Sequence, residues 1–207
     1  MSSDQLDLFV LTADIDQEST FNGLLKRYQA LGTRRFTFLV DRDPGRDSGC
    51  RTNGVGILRT KLRQYSHALL VFDKHGSGRD NDSASNLEHE LDTELAKNGW
   101  DDRARCIVID PEVEVWAWSD STALDEILGR RNLREWLVQQ GLLRPGETKP
   151  RDPKHAMISA HGKRPKADIF RQLATRISFQ NCTDRAFNRL LTTLQTWFPA
   201  TPPEGPS

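Results

Sequence analysis

Apolar runs that stop abruptly at acids punctuate the first half of the chain. Leu6 to Thr12 (LDLFVLT) leads into Ala13-Asp14-Ile15-Asp16-Gln17-Glu18, and Arg35 to Val40 (RFTFLV) ends at Asp41-Arg42-Asp43-Pro44-Gly45. His67 to Phe72 (HALLVF) ends at Asp73-Lys74-His75-Gly76, and Ile107-Val108-Ile109 stops at Asp110-Pro111. Short continuous apolar runs bounded by turn residues suit strands buried on both faces, as in a parallel sheet. Between them the period changes. Phe21, Leu24, Leu25, Tyr28 and Leu31 form the stripe of an amphipathic helix, closed by Gly32 at the C′ position. After a polar loop through Gly49, Cys50 and Arg51, Leu58, Leu62 and Tyr65 mark a second helix near 55–65. Leu87, Leu91 and Leu95 hold a strongly acidic third helix over 83–97, stopped by Gly99. Strand and helix thus alternate, which argues an α/β fold: a mostly parallel sheet of about four to five strands, flanked by helices and joined by right-handed crossovers.

After residue 120 the pattern is helical. Thr122 with Asp125 and Asn132 with Glu135 resemble capped helix starts, and Leu133, Trp136 and Leu137 give the second of these an apolar face. Residues 143–166 read as a Pro-, Gly- and Lys-rich connector. Two more amphipathic helices follow, one through Ile169, Phe170, Leu173 and Ile177, the other from Phe187 to Phe198. The expected organisation is an α/β domain over 1–142, a basic connector and helical subdomain packed on it over 143–198, and a disordered Pro-rich tail over 199–207.

Charge changes the picture only locally. Lys and Arg balance Asp and Glu at 29 each, so no global field attracts polyanions and a nucleic-acid surface must be a patch. The connector supplies one: Lys149, Arg151, Lys154, Lys163, Arg164 and Lys166 stand against a single acid, Asp152. A solvated linker is the competing reading. Cys50, Cys106 and Cys182 lie far apart and read as reduced thiols. No stretch approaches the roughly 18 apolar residues of a membrane span, and the short run at 8–13 lacks the basic flank of a signal peptide. A cytoplasmic protein is expected, with no membrane partner.

The candidate chemistry lies at the strand ends. Past Ile109 the chain can stay extended, which puts Asp110, Glu112 and Glu114 on one face, or start a helix with Asp110 as N-cap and Pro111 first. The helix is preferred. There Glu112 and Glu114 diverge by about 200°, so only one of them faces a site. Carboxylates at the ends of buried strands sit where open α/β sheets place ligands. Converging carboxylates need a proton or a cation between them, and oxygen ligands of this kind suit Mg²⁺ or Mn²⁺. The competing role for each acid is to cap the next helix. Asp43, Asp47, Asp80 and Asp82 read as loop acids, the acids at 88–94 as a solvated face, and Trp116 and Trp118 as cleft residues. His89-Glu90 lacks a second His at zincin spacing, and the Gly-rich segments match neither a Walker loop nor a dinucleotide fingerprint.

These residues resemble the Toprim catalytic layout. Asp14-x-x-x-Glu18, Asp73-Lys74-His75, Glu112-Val113-Glu114-Val115-Trp116, Lys154 in DPKHA, and Cys182 shortly before Phe187 carry the resemblance. They are similar to a family of Toprim-like proteins related to the nuclease half of OLD-type phage-defence proteins, and within it to components of bacterial methylation-associated phage-defence systems. The resemblance implies a Toprim-like sheet with a helical C-terminal extension and a Mg²⁺- or Mn²⁺-dependent nuclease, a hydrolase serving antiviral defence. It implies metal ligands at Asp14, Glu18, Asp73, Glu112 and Glu114, catalytic roles for Glu18, Asp73 and Lys154, and DNA and other proteins of a defence operon as partners. Two positions depart from the pattern: Asp14 replaces a Glu, and His75 the second Asp of Asp-x-Asp. They leave a second function open, a catalytically weak subunit that binds DNA or partner proteins. A hydrolase of nucleotides or small phosphates is a third reading of the same acids.

Overall fold

The apolar runs pair as the parallel strands that two-sided burial demands. In the computed structural model, which describes residues 5–119, 121–165, 167–178 and 182–200, four strands form one sheet. They are β1 (Leu6–Thr12), β2 (Phe38–Arg42), β3 (Tyr65–Asp73) and β4 (Ala104–Ile109), in the order β2-β1-β3-β4 with every neighbour parallel. The sheet falls within the four to five strands expected of an α/β fold and accords with a Toprim-like one.

The pleat divides the core in two. Leu8 and Val10 of β1, Leu69 and Val71 of β3, and Ile107 and Ile109 of β4 face α1 (Ile15–Leu24), which supplies Phe21 and Leu24. The alternate residues, Phe9, Leu11, Ala68, Leu70, Phe72, Cys106 and Val108, face α2 (Arg46–Arg59) and α3 (Ala84–Leu95). On that side Gly54 lets α2 approach closely, since a Cβ there would stand 2.5 Å from Leu70 Cδ1. The C-terminal helices α4 (Ser121–Leu128), α5 (Leu133–Gln139), α6 (Pro153–His161), α7 (Ala167–Arg176) and α8 (Arg185–Trp197) extend the α1-side core. Residues from both parts of the expected division thus share one core. A Cβ at Gly23 of α1 would come within 2.9 Å of Ala174 Cβ in α7, so this contact too needs a glycine.

β4 is an edge strand, and side chains complete its ladder. Glu88 Oε1 accepts from the Val108 N–H at 2.9 Å, and Arg185 donates to the Val108 carbonyl at 2.8 Å. Two residues earlier, Asp92 Oδ1 accepts from the Cys106 N–H at 2.7 Å and Arg189 Nε donates to the Cys106 carbonyl at 3.0 Å. Arg185 pairs with Glu88 at 2.5 Å, and Arg189 pairs with Asp92. Carboxylates from α3 and guanidinium groups from α8 thus satisfy backbone groups that an exposed edge would leave open. The acidic helix is therefore not simply a solvated face: Glu88 is 2% exposed.

Other boundaries move for identifiable reasons. α1 begins directly after its cap, Asp14, and gives way to turns after Leu24, before Gly32 at φ +66. β2 lies slightly later than expected, and the polar segment after it is the first half of α2 and not a loop. Three glycines weaken α2 by about 1 kcal/mol each, and packing on β3 outweighs them. The connector is not a flexible linker throughout, because α6 interrupts it and buries Ala156, Met157 and Ala160. After β4 the chain makes a cis Asp110–Pro111 bond and then a 3₁₀ helix, Val113–Ser119, in place of an α-helix from Asp110. Trp116 lies in the core, 2% exposed, and not in a cleft. Pro199, at the start of the expected tail, forms a bridge with Thr33, while 201–207 lie outside the described residues. The three cysteines are buried and unpaired. Among the described residues no helix is long and apolar enough to cross a membrane.

Candidate functional site

From β1 the chain passes first to β2 on one side and then to β3 on the other, so the strand order reverses between β1 and β3. Open α/β sheets bind ligands at the carboxyl ends of the strands flanking such a point. Asp73 ends β3 there, 5% exposed, and its Oδ1 has no hydrogen-bond partner. Asp14 follows β1, but its Oδ1 is spent as the N-cap of α1, accepting from the N–H groups of Asp16 at 3.0 Å and Gln17 at 2.9 Å. Gln17 is fully buried and held in place, since its Oε1 accepts from the Ala13 N–H at 3.0 Å. Its Nε2 donates to Asp47 Oδ1 at 3.3 Å, and that same oxygen accepts from the Asp73 N–H at 2.8 Å. Asp47, in the first turn of α2, is therefore no loop acid. Asp43 is buried as well, with Oδ1 accepting from the Gly45 N–H at 2.7 Å.

The second half of the site comes from β4 and the C-terminal part. Lys154, in the first turn of α6, reaches Glu112 Oε1 at 2.5 Å and Glu114 Oε1 at 3.9 Å. Both glutamates therefore approach one lysine, where an α-helix would have separated them. Asp110 turns away to Lys74 at 2.8 Å. His75 is exposed, with Nδ1 3.8 Å from Glu112 Oε1. Glu18 pairs with Arg42 of β2 at 2.7 Å. Asp16, two residues earlier, is buried, and Arg164 approaches it at 3.6 Å. Of the other basic residues, Arg151 pairs with Glu147 at 3.7 Å, Lys163 is exposed and Lys149 partly buried, while Lys166 lies outside the described residues.

Burial governs the electrostatics. It raises the Asp73 carboxyl well above its ordinary range, reinforced by the charges of Asp47, Glu114 and Asp14. Asp47 and Asp16 are raised by the same desolvation and by Asp14, against the Asp73 N–H for Asp47 and against Arg164 and Lys154 for Asp16. Glu114 rises from 4.5 to about 7 through desolvation, although Lys154 opposes the rise. Burial alone would lower Lys154, but its hydrogen bond to Glu112 and the charges of Glu114 and Glu112 outweigh that and raise it.

The donor chemistry fits a hard cation: carboxyl oxygens, one of them buried and unpartnered, whose negative forms are disfavoured as they stand. Among the described residues no three acid, His or Cys side chains stand ready to hold one ion together. Mg²⁺ is ordinarily held by one or two carboxylates and retains several waters, so a pair is enough. Reading from sequence missed Asp47 and Gln17, and nothing in their local pattern marked them. Asp47 reads as the first turn of a helix only once that helix is seen to start at Arg46.

Comparison with protein-family models, with curated proteins and with solved structures finds no match to this chain.

Proposed function

We propose that this chain is a Toprim-like, Mg²⁺- or Mn²⁺-dependent nucleic-acid phosphodiesterase, a nuclease similar to the OLD type that serves bacterial anti-phage defence. The observation that carries this reading is the meeting, at the carboxyl ends of β3 and β4, of buried acids Asp73 and Glu114 with Lys154, which is 40 residues or more away in sequence. When bound, the ion supplies positive charge to the attacking and leaving oxygens of a phosphodiester. Asp73 would hold it, with Asp47 or Glu114 beside it. Lys154, freed from Glu112, would stabilise negative charge on the scissile phosphate. Glu114, with its proton held to about pH 7, is matched to taking or giving a proton near neutrality. Lys149, Arg151, Lys163 and Arg164 supply phosphate contacts whose strength falls with salt.

One observation favours the second reading, a catalytically weak subunit that binds DNA or proteins of a defence complex. Three of the expected acids are already committed: Asp14 to the α1 cap, Glu18 to Arg42 and Glu112 to Lys154. Incubating supercoiled plasmid with Mn²⁺ and the wild type, Asp73→Asn or Lys154→Ala decides between the two. Nicking by wild type alone supports the nuclease. No nicking, or equal nicking by all three, leaves the binding subunit.

A further inference from the structure

We infer that Asp47 of α2 pairs with Asp73 of β3 as the cation-binding carboxylates of this chain; the inference rests on the metal-dependent reading above. The strand-end acids differ in what they have left to offer. Glu18 is paired with Arg42, Glu112 with Lys154 and Asp110 with Lys74, and Asp14 Oδ1 caps α1, whereas Asp47 Oδ1 is joined to Asp73 by the Asp73 N–H. Asp73 is 5% exposed and its Oδ1 has no partner. A buried, unpartnered carboxyl oxygen at the ligand end of a sheet points to a missing partner of opposite charge.

Asp47 is the acid that is fastened beside it. Two donors, the Asp73 N–H at 2.8 Å and Gln17 Nε2 at 3.3 Å, converge on Asp47 Oδ1 and fix the carboxyl in orientation. Gln17 is itself locked by the Ala13 N–H, so the arrangement is built from β1, α1, α2 and β3 together. The other oxygen, Oδ2, faces the turn after β3, where Gly76 at φ +88 carries no side chain; a Cβ there would stand 3.5 Å away. The buried Asp73 carboxylate and the half-buried Asp47 carboxylate beside it repel each other, and a divalent cation between them relieves the repulsion of both. Two protein carboxylates with retained water are an ordinary complement for Mg²⁺ or Mn²⁺.

The test is Mn²⁺ titration of the full chain by electron paramagnetic resonance, with Asp47→Asn, Asp73→Asn and Glu18→Gln beside the wild type. Asn at 47 keeps an acceptor for both donors while removing the charge. Wild type is expected to bind Mn²⁺. Asp47→Asn and Asp73→Asn should weaken it by at least the roughly 10- to 100-fold that loss of an outer partner costs, and Glu18→Gln by less than about twofold. A second measurement needs no variant. Mn²⁺ added in substoichiometric steps to ¹⁵N-labelled wild type should broaden the Gln17 side-chain amide and the Asp73 backbone amide before the Arg42 Nε–H resonance. Binding that survives Asp47→Asn but not Asp73→Asn overturns the inference and leaves the metal-dependent reading standing. So does broadening centred on Arg42. A wild type that binds no Mn²⁺ at millimolar concentration overturns both.

Discussion

Glu114→Gln is expected to stabilise the protein above neutral pH and to leave it nearly unchanged in acid. Glu114 is 5% exposed, in the 3₁₀ helix after β4, and Lys154 stands 3.9 Å away with Glu112 as its main partner. Its proton is held to about pH 7, against an ordinary 4.5. Each tenfold change in proton affinity is worth about 1.4 kcal/mol, so the rise corresponds to about 3 kcal/mol. The sign follows from which state binds the proton. Between about 4.5 and 7 the folded chain keeps it and the unfolded chain has lost it, so the stability that this group affects falls as pH rises through that window and levels off above it. Glutamine keeps the shape and removes the titration. Urea denaturation followed by tryptophan fluorescence, at a series of pH values from about 4 to 8, should show the two proteins equal at the acid end. The variant should then become more stable by about 3 kcal/mol at the alkaline end. A difference between them that does not change with pH would refute the reasoning, because a buried carboxyl with a raised pKa cannot be silent in linkage.

Lys154→Met removes the cation that opposes the rise of Glu114, so the Glu114 midpoint in carboxyl ¹³C NMR should move further up; an unchanged midpoint would mean the lysine does not act on it. Glu88→Ala leaves the Val108 N–H unpaired and takes the carboxylate from Arg185, and should cost about 2–3 kcal/mol, with faster amide exchange at Val108 than at Leu70. A loss within the range of a surface ion pair, below about 1 kcal/mol, would sink the side-chain ladder along β4. Gly54→Ala and Gly56→Ala should act in opposite directions in denaturant melts. The first drives a Cβ to 2.5 Å from Leu70 Cδ1 and costs about 1–3 kcal/mol, while the second meets nothing within 4 Å and gains about 0.5–1 kcal/mol of helix propensity. Equal effects would show that α2 does not press on β3 at that point.

Local pattern made much of the fold legible. The strands were readable because each is buried on both faces and so carries an unbroken apolar run, and β1 begins and ends where its run does. The start of α1 was less so: its apolar stripe begins at Phe21, while the helix is nucleated by a cap whose signal, Asp14, was equally readable as a metal ligand. The first half of α2 was hidden by its glycines, which lower helix propensity; one of them, Gly54, takes its justification from Leu70 of β3. Glu88 and Asp92 looked like solvated acids because their partners, Arg185 and Arg189, are 97 residues away.

By itself, the sequence determined the α/β alternation, the parallel sheet and the gathering of acids at the strand ends, since burial period and turn chemistry are properties of neighbouring residues. Lys154 too was picked out, through its motif. Only the tertiary structure decided which acids are free and which are spent. Asp14 caps, Glu18 and Glu112 are paired, and Asp47 accepts from the Asp73 backbone N–H and from a buried glutamine. The physical reason is that a carboxylate's role is set by what desolvates it and what donates to it. Those groups come here from strands and helices that only the folded sheet brings together.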